Sequence, residues 1–339
     1  MVVGREVELA HLHGWLERAL AGERQVVFVT GEPGIGKTTL VDAFLHHAVA
    51  RGGLWLGRGQ CIEHYGAGEA YLPVLKAFGR LCRESGGERL IALLNRHAPT
   101  WLAQMPALLG AAELEALQRT VQGTTRDRML REFAELVEAV SAEQPLILTL
   151  EDLHWSDPST LDLLTLVAQR REAAQLLVLG TYRPAEVIVS GHPLRAIKQE
   201  LHAHRQCEEL ILGFLSEAAV GEYLVRRFAG NALPSQLAHV VYRRTEGNPL
   251  FMVTVVDDLV AQGLLREVRG QWQLQAALEE VTVGIPDSLR QLIDRQLERL
   301  PREEQRVLEV ASIAGTSFSA LTVAAGGEES IEQVEAHCE

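Results

Sequence analysis

Gln25-Val-Val-Phe-Val-Thr30, Gly31-Glu-Pro-Gly-Ile-Gly36, Lys37-Thr38-Thr39 and then Leu40, Val41, Phe44 and Leu45 form the stretch on which the reading of this chain turns. The first six residues are a β-branched run with charge before it and glycine after it, the pattern of a short buried strand. Leu40, Val41, Phe44 and Leu45 recur at helical spacing. A glycine-rich loop therefore joins a strand directly to a helix. Gly31, Gly36, Lys37 and Thr38 complete G-x-x-x-x-G-K-[ST]. Glycine lets main-chain N–H groups turn into a concave loop and approach an anion closely, and the following helix adds its positive end. A lysine then neutralises phosphate charge, and a threonine hydroxyl completes a Mg²⁺ shell. The loop thus predicts ATP or ADP with Mg²⁺, held by Gly31, Glu32, Pro33, Gly34, Ile35, Gly36, Lys37, Thr38 and Thr39. The chain has 29 glycines but lysine only at 37, 76 and 198, so a chance match arises in about a few per thousand such chains. A glycine-rich turn without a ligand is the weaker reading.

Working outward, apolar spacing over 7–20 predicts a helix before the first strand. Residues 54–57 and 176–180 and Leu146-Ile-Leu-Thr-Leu150 are further strands, residues 70–140 are mostly helical, and a helix covers 159–169. Strands alternating with helices imply an α/β fold: a three-layer αβα sandwich around a doubly wound parallel sheet of five strands. Its ligand lies at the carboxyl ends of the strands. Beyond about 206 the strand pattern largely stops, and 216–228, 234–245 and 250–262 read as helices. After Pro286, Leu289, Leu292, Ile293 and Leu297 mark one apolar face, and Val307, Leu308 and Ala311 mark another after Pro301. The expected organisation is a nucleotide-binding domain over 1–205, an all-α lid over 206–280 and a partial third domain over 281–339.

Glu151-Asp152 follows the third strand. A phosphate-binding loop needs an acid at the tip of a neighbouring strand for the Mg²⁺ shell, and a second carboxylate can orient the attacking water. Thr38, Glu151 and Asp152 are thus the metal candidates, and Glu151 and Asp152 the catalytic acids. Strand neighbours point to opposite faces, so only one of the two acids need face the metal. Periodicity leaves open which one.

Together with GEPGIGKTT, the run His154-Trp155-Ser156-Asp157 resembles the STAND-type AAA+ ATPase domains of large bacterial transcription regulators, which are similar to origin-recognition ATPases. Three further segments carry the resemblance. Val2-Val3-Gly4-Arg5-Glu6-Val7-Glu8 matches the family's first motif, which implies that Val3, Gly4 and Arg5 line an adenine pocket. Leu179-Gly-Thr181-Tyr-Arg183 matches its fourth-strand sensor, which implies that Arg183 feels the γ-phosphate. Gly247-Asn248-Pro249 matches its G-x-P motif, which implies that Pro249 packs on the base, and the resemblance as a whole implies a winged-helix-like third domain. The resemblance covers about 2–315. Many members carry two aspartates where this chain has Glu151-Asp152, a departure that bears on hydrolysis.

The 339 residues carry 32 basic and 45 acidic side chains, a net charge of −13, which disfavours direct binding to nucleic acid or anionic lipid. Cys61, Cys82, Cys207 and Cys338 lie far apart, which predicts reduced thiols rather than zinc or disulfides. No apolar run is long enough to span a membrane, and the N-terminus has no signal-peptide pattern, so a cytoplasmic protein is expected. Arg126, Arg128, Arg243, Arg244 and the scattered histidines read as surface or core residues. The function expected is a regulatory ATPase switch with slow hydrolysis and self-association on ATP binding. Effector or DNA-binding domains are expected in a longer parent chain. A non-hydrolysing nucleotide scaffold and a DNA-acting AAA+ loader are the alternatives.

Overall fold

The computed structural model describes residues 1–63, 69–123, 125–228, 230, 233–275, 290, 293–294, 297, 300–314, 318–327 and 330–338. Two compact units divide the chain: Met1–Arg227 with Glu246–Leu250, and Phe228–Thr245 with Phe251–Glu339.

The first unit is built on a parallel sheet of β1 (Gln25–Thr30), β2 (Trp55–Gln60), β3 (Leu146–Glu151), β4 (Leu176–Tyr182) and β5 (Glu208–Ile211), in the order β2-β3-β4-β1-β5. Every residue of β1, β3 and β4 is buried. Alternation along β1 supplies both faces of the sheet. Val26 and Phe28 enter one apolar layer, and Val27 and Val29 enter the other. The second layer is closed by α1 (Glu6–Leu20) through Leu12 and Leu16, and by α2 (Lys37–Ala50) through Leu40, Val41, Phe44 and Leu45. On the first face sit α3 (Leu72–Leu81), α4 (Gly87–His97), α5 (Pro99–Ala103), α6 (Ala111–Thr120), α7 (Arg126–Glu143) and α8 (Pro158–Gln169). Trp101 packs there against Tyr71 and Phe133. The unit continues with α9 (Pro184–Val189), α10 (Leu194–Ala203) and α11 (Glu217–Arg227).

Two strands extend the expectation. β2 runs on to Gln60 through Gly57 and Gly59, which apolar patterning does not mark as strand. A Cβ at Gly59 would lie 2.0 Å from the Pro73 carbonyl oxygen, so close packing of β2 under α3 requires glycine there. β5 reads Glu-Glu-Leu-Ile because it is an edge strand with one buried residue, and it pairs only with β1.

The second unit holds α12 (Gln236–Thr245) and most of α13 (Pro249–Ala261), then an antiparallel hairpin of β6 (Leu265–Val268) and β7 (Gln271–Leu274). The hairpin interrupts a segment expected to be wholly helical. Positive φ at Arg269 and Gly270 makes its two-residue turn, without the Asn-Gly signal that reads out in sequence. Val307, Ala311, Val323 and Val334 form a small core among the helices Arg302–Ala314, Ala320–Gly326 and Ile331–Cys338. Pro286, Leu289 and Leu292 lie outside the described residues.

Candidate nucleotide site

The loop between β1 and α2 takes backbone conformations suited to glycine at three points: φ is 147° at Gly31, 75° at Gly34 and 93° at Gly36. Space is also limiting at two of them. A Cβ on Gly31 would lie 2.8 Å from the Leu212 carbonyl oxygen, and one on Gly34 would lie 2.7 Å from the Leu250 Cβ. At Gly36 the nearest atom would be Pro249 Cγ at 4.0 Å, so the loop's concave side is open there. No side chain caps the N-terminus of α2, which leaves its first amides for a ligand.

Lys37 folds back over this loop. Its Nζ donates to the carbonyls of Gly31 at 2.7 Å and Glu32 at 3.0 Å, and the residue is buried. Burial, and after it the charge of Arg183, push its ammonium down to about 8. Such a group regains its full charge when an anion replaces the water it has lost. Thr38 and Thr39 are exposed in the first turn of α2.

The acids after β3 are brought to the same place and given different surroundings. Glu151 is the last strand residue and is buried. Its Oε2 accepts a hydrogen bond from the Thr38 hydroxyl at 3.2 Å. Asp152 leaves the strand in a left-handed conformation with φ 57°, so strand alternation no longer governs where it points. Its N–H donates to Thr181 Oγ1 at 3.1 Å, and its carboxylate accepts from Gln60 at 3.1 Å. Arg58 and Asp42 complete a ring that sequence reasoning missed. Arg58 Nε donates to Glu151 Oε1 at 2.5 Å, and its Nη1 lies 2.6 Å from Asp42 Oδ1. Hydrogen bonding to Glu151 raises the Arg58 guanidinium above its ordinary value. Asp42 lies one helical turn after Thr38, a spacing that was open to inspection. The partnership of Arg58 was not, because it needs β2 to lie beside β3.

Arg183 follows β4, the strand between β1 and β3. Its guanidinium lies 5.5 Å from the centroid of the Trp155 ring and bonds to Glu186, three residues on. Buried His154 places Nε2 3.1 Å from the other Glu186 oxygen. Burial alone would raise the Glu186 carboxyl, but His154 and Arg183 outweigh it and hold it at about 2. Trp155 directly, and His154 through Glu186, thus brace the arginine. Arg126 pairs with Asp162 of α8, and Arg128 with Glu132, a buried carboxylate that also accepts from Thr100.

The N-terminal motif and residues 246–250 pack around the same loop. Val3 is buried, and a Cβ on Gly4 would lie 2.5 Å from Ala219 Cβ. The Arg5 side chain is committed to protein: it donates to Gly213 O at 2.6 Å and Ile35 O at 3.3 Å, and it pairs with Glu8. Leu250 N donates to Gly34 O at 3.1 Å, and Asn248 Nδ2 lies 3.4 Å from Pro33 O. Pro249 thereby borders the open side of the loop.

These residues fit a nucleoside polyphosphate with a divalent cation. Glycines leave the cradle clear of Cβ atoms, one buried ammonium faces it, and a hydroxyl meets a carboxylate at its edge. Among the described residues no cluster of histidine, cysteine and acids offers a metal site independent of phosphate. No described helix is long and apolar enough to cross a membrane.

Comparison with known proteins agrees with this geometry. The profile described as AAA ATPase domain matches residues 1–179. An uncharacterized protein of Rhizobium meliloti is 27% identical over 206 residues, which cover 57% of this chain and 20% of that protein. The chain therefore spans about a fifth of that relative's length. Among solved structures, a Walker-type ATPase of Pyrococcus abyssi superposes with a TM-score of 0.58 at 15% identity, covering 99% of this chain and 88% of that one. A signal transduction ATPase with a tetratricopeptide repeat sensor from Pyrococcus horikoshii gives a TM-score of 0.44 at 16% identity, covering 92% of this chain and 34% of that one.

Proposed function

Because this chain belongs to the AAA ATPase domain family, we propose that it binds ATP with Mg²⁺ between β1 and β3, hydrolyses it slowly, and serves as a nucleotide-dependent switch in a signalling or regulatory protein. The observation that carries the reading is the meeting of the Thr38 hydroxyl with Glu151 beside a lysine buried in a glycine cradle. Loop amides from Gly31 to Thr39 and the Lys37 ammonium bind the phosphates. Val3, Gly4 and Pro249 wall the base, with Arg5 shaping the pocket through its bonds to Ile35 and Gly213. Thr38 and Glu151 hold the cation, which supplies charge neutralisation for the phosphoryl group when bound. Asp152, next along the chain from Glu151, would orient the attacking water.

Slow turnover follows from the restraints on Arg183. Glu186 and Trp155 hold it, so it must exchange Glu186 for the γ-phosphate before stabilising the charge that develops. That exchange gives the two nucleotide states different contacts, which any switch requires. Asn248 and Leu250 bind the loop's own carbonyls, so a change in the loop reaches the start of α13 directly. The proposed organisation places the nucleotide-binding domain at 1–205, a lid at 206–280 and a winged-helix-like segment from 281, within a longer cytoplasmic regulator that self-associates on ATP. The net charge of −13 disfavours a DNA loader. A nucleotide scaffold without hydrolysis draws its support from the engagement of both Glu151 oxygens by protein.

The test is to extract nucleotide from the purified chain and measure phosphate release beside Lys37→Ala, Glu151→Gln and Asp152→Asn. The reading expects no nucleotide in the first and bound but unhydrolysed ATP in at least one of the others. Equal turnover in all of them would remove it. Turnover in none, with nucleotide bound, would leave the scaffold.

A further inference from the structure

Glu151 is held by more than the site's chemistry needs. Its Oε1 takes the Arg58 Nε at 2.5 Å, while Oε2 alone faces Thr38. Arg58 is itself fixed from the far side by Asp42, 2.6 Å from Nη1. β2 lies beside β3 with Gln60 opposite Glu151, so the guanidinium reaches across from the adjacent strand. Glu151 is 5% exposed and cannot swing into solvent to escape it. An exposed ion pair of this kind would be worth little; around a buried carboxylate it dictates which oxygen is free.

We propose that Arg58 is a specificity-determining residue of the cation site: by occupying one oxygen of Glu151 it leaves a single acceptor, and so makes the site favour Mg²⁺ over Ca²⁺. This rests on the reading that Thr38 and Glu151 hold the cation. Mg²⁺ demands octahedral geometry, keeps several waters and needs only one carboxylate oxygen or a water-mediated contact. Ca²⁺ takes more ligands at longer distances and gains from a carboxylate that wraps it with both oxygens. A Glu151 pinned at Oε1 serves the first ion and denies the second its bidentate grip. Asp42 takes part as a positioning residue, since without it the guanidinium has one anchor rather than two. A role limited to tying α2 to the sheet would not discriminate between ions.

The experiment uses the full chain and a fluorescent ADP analogue, titrated in Mg²⁺, in Ca²⁺ and in EDTA, for the parent, Arg58→Gln and Arg58→Lys. In the parent the analogue binds more tightly with Mg²⁺ than with Ca²⁺. Arg58→Gln narrows that ratio by about fivefold, mainly through tighter binding with Ca²⁺, while affinity in EDTA stays within about twofold. Arg58→Lys keeps the charge but not the fork, and gives an intermediate ratio; it carries the test should the glutamine variant fail to fold. An unchanged ratio, or an equal loss in all three conditions, overturns the assignment while leaving the phosphate site intact. A parent chain that binds no analogue in any condition overturns the nucleotide reading, and this inference with it.

Discussion

The two ends of the central sheet set their basic side chains against opposite backbone groups. At the carboxyl end, Lys37 and Arg183 stand before an uncapped helix N-terminus and a loop made of glycine. At the amino end, Arg18, Arg24, Arg170, Arg171 and Arg205 line a concavity of about 280 Å³ where α1, α8 and α10 finish. There Arg18, Arg24 and Arg170 are engaged by the protein itself. Arg24 donates to Val167 O at 2.8 Å in the last turn of α8, and Gln175 donates to Leu20 O at 3.0 Å at the end of α1. Arg170 pairs with Glu138 and Glu172. Helix C-termini present carbonyls and a negative dipole end, so cations there complete the fold. Helix N-termini present amides and a positive end, so an anion drawn there can take over Lys37 from the Gly31 and Glu32 carbonyls and Arg183 from Glu186. Count of charge does not distinguish a site from a scaffold; the free backbone group facing it does.

That contrast can be broken first at Lys37. Lys37→Ala should weaken nucleotide binding by about 100-fold or more, the loss of a buried charge-assisted contact, with little loss of thermal stability in the free protein. Isothermal titration and a melting curve read the two effects separately. Glu151→Gln comes next: turnover should fall by about 100-fold while nucleotide remains bound in EDTA. A variant that loses binding without metal would put the acid in the cradle rather than at its edge.

At the other end, Arg24→Met should cost about 2 kcal/mol of stability, because carbonyls at Val167 and Glu172 lose their donor. Nucleotide affinity should move by less than about twofold in the same protein, since the substitution lies at the far end of the strands. Denaturant midpoints beside nucleotide titrations check this, and a matching loss of affinity would erase the distinction between the two ends.

The fourth test uses pH. Lys37 in the free protein stands at about 8, below its ordinary value, and phosphate binds its charged form. Binding therefore takes up a proton above pH 8, and affinity should fall by about tenfold per unit between pH 8.5 and 9.5. Stability runs the other way: the unfolded chain holds more protons at this lysine between pH 8 and its ordinary value, so this group's contribution to stability rises with pH over that window. Affinity that stays flat across the range would mean that the ammonium is not the phosphate's partner. The smallest effect belongs to Arg171→Ala at the amino end, within about 0.5 kcal/mol, because Arg171 is exposed and has no ion pair among the described residues.

Much of the fold was legible wherever burial was complete. β1, β3 and β4 are apolar runs because both sheet faces are covered, and a run of five or six such residues has few other readings. Legibility failed at the margins. Glu208–Ile211 looks like solvent-facing chain because an edge strand buries one residue. Trp55–Gln60 carries two glycines, of which Gly59 exists for its close approach to Pro73 of α3 rather than for the strand itself. In the site, the loop residues were readable because their spacing is local, closed within eight positions. Arg58, Asp42 and Glu186 were not named: Arg58 needs β2 to lie beside β3, Asp42 stands at a readable spacing from Thr38 but acts only through Arg58, and Glu186 shows itself only as a partner of Arg183.

By itself the sequence determined that a phosphate-binding loop joins a buried strand to a helix, and that two adjacent acids follow a second buried strand. Glycine's freedom of φ, the charge of lysine and the period of apolar residues are properties of neighbours along the chain, and they survive without a fold. Only the tertiary structure decided that Glu151 rather than Asp152 meets Thr38, and that Arg58 takes its other oxygen. Those choices depend on strand register and on a residue that turns left-handed at the strand's end, where alternation ceases to predict direction.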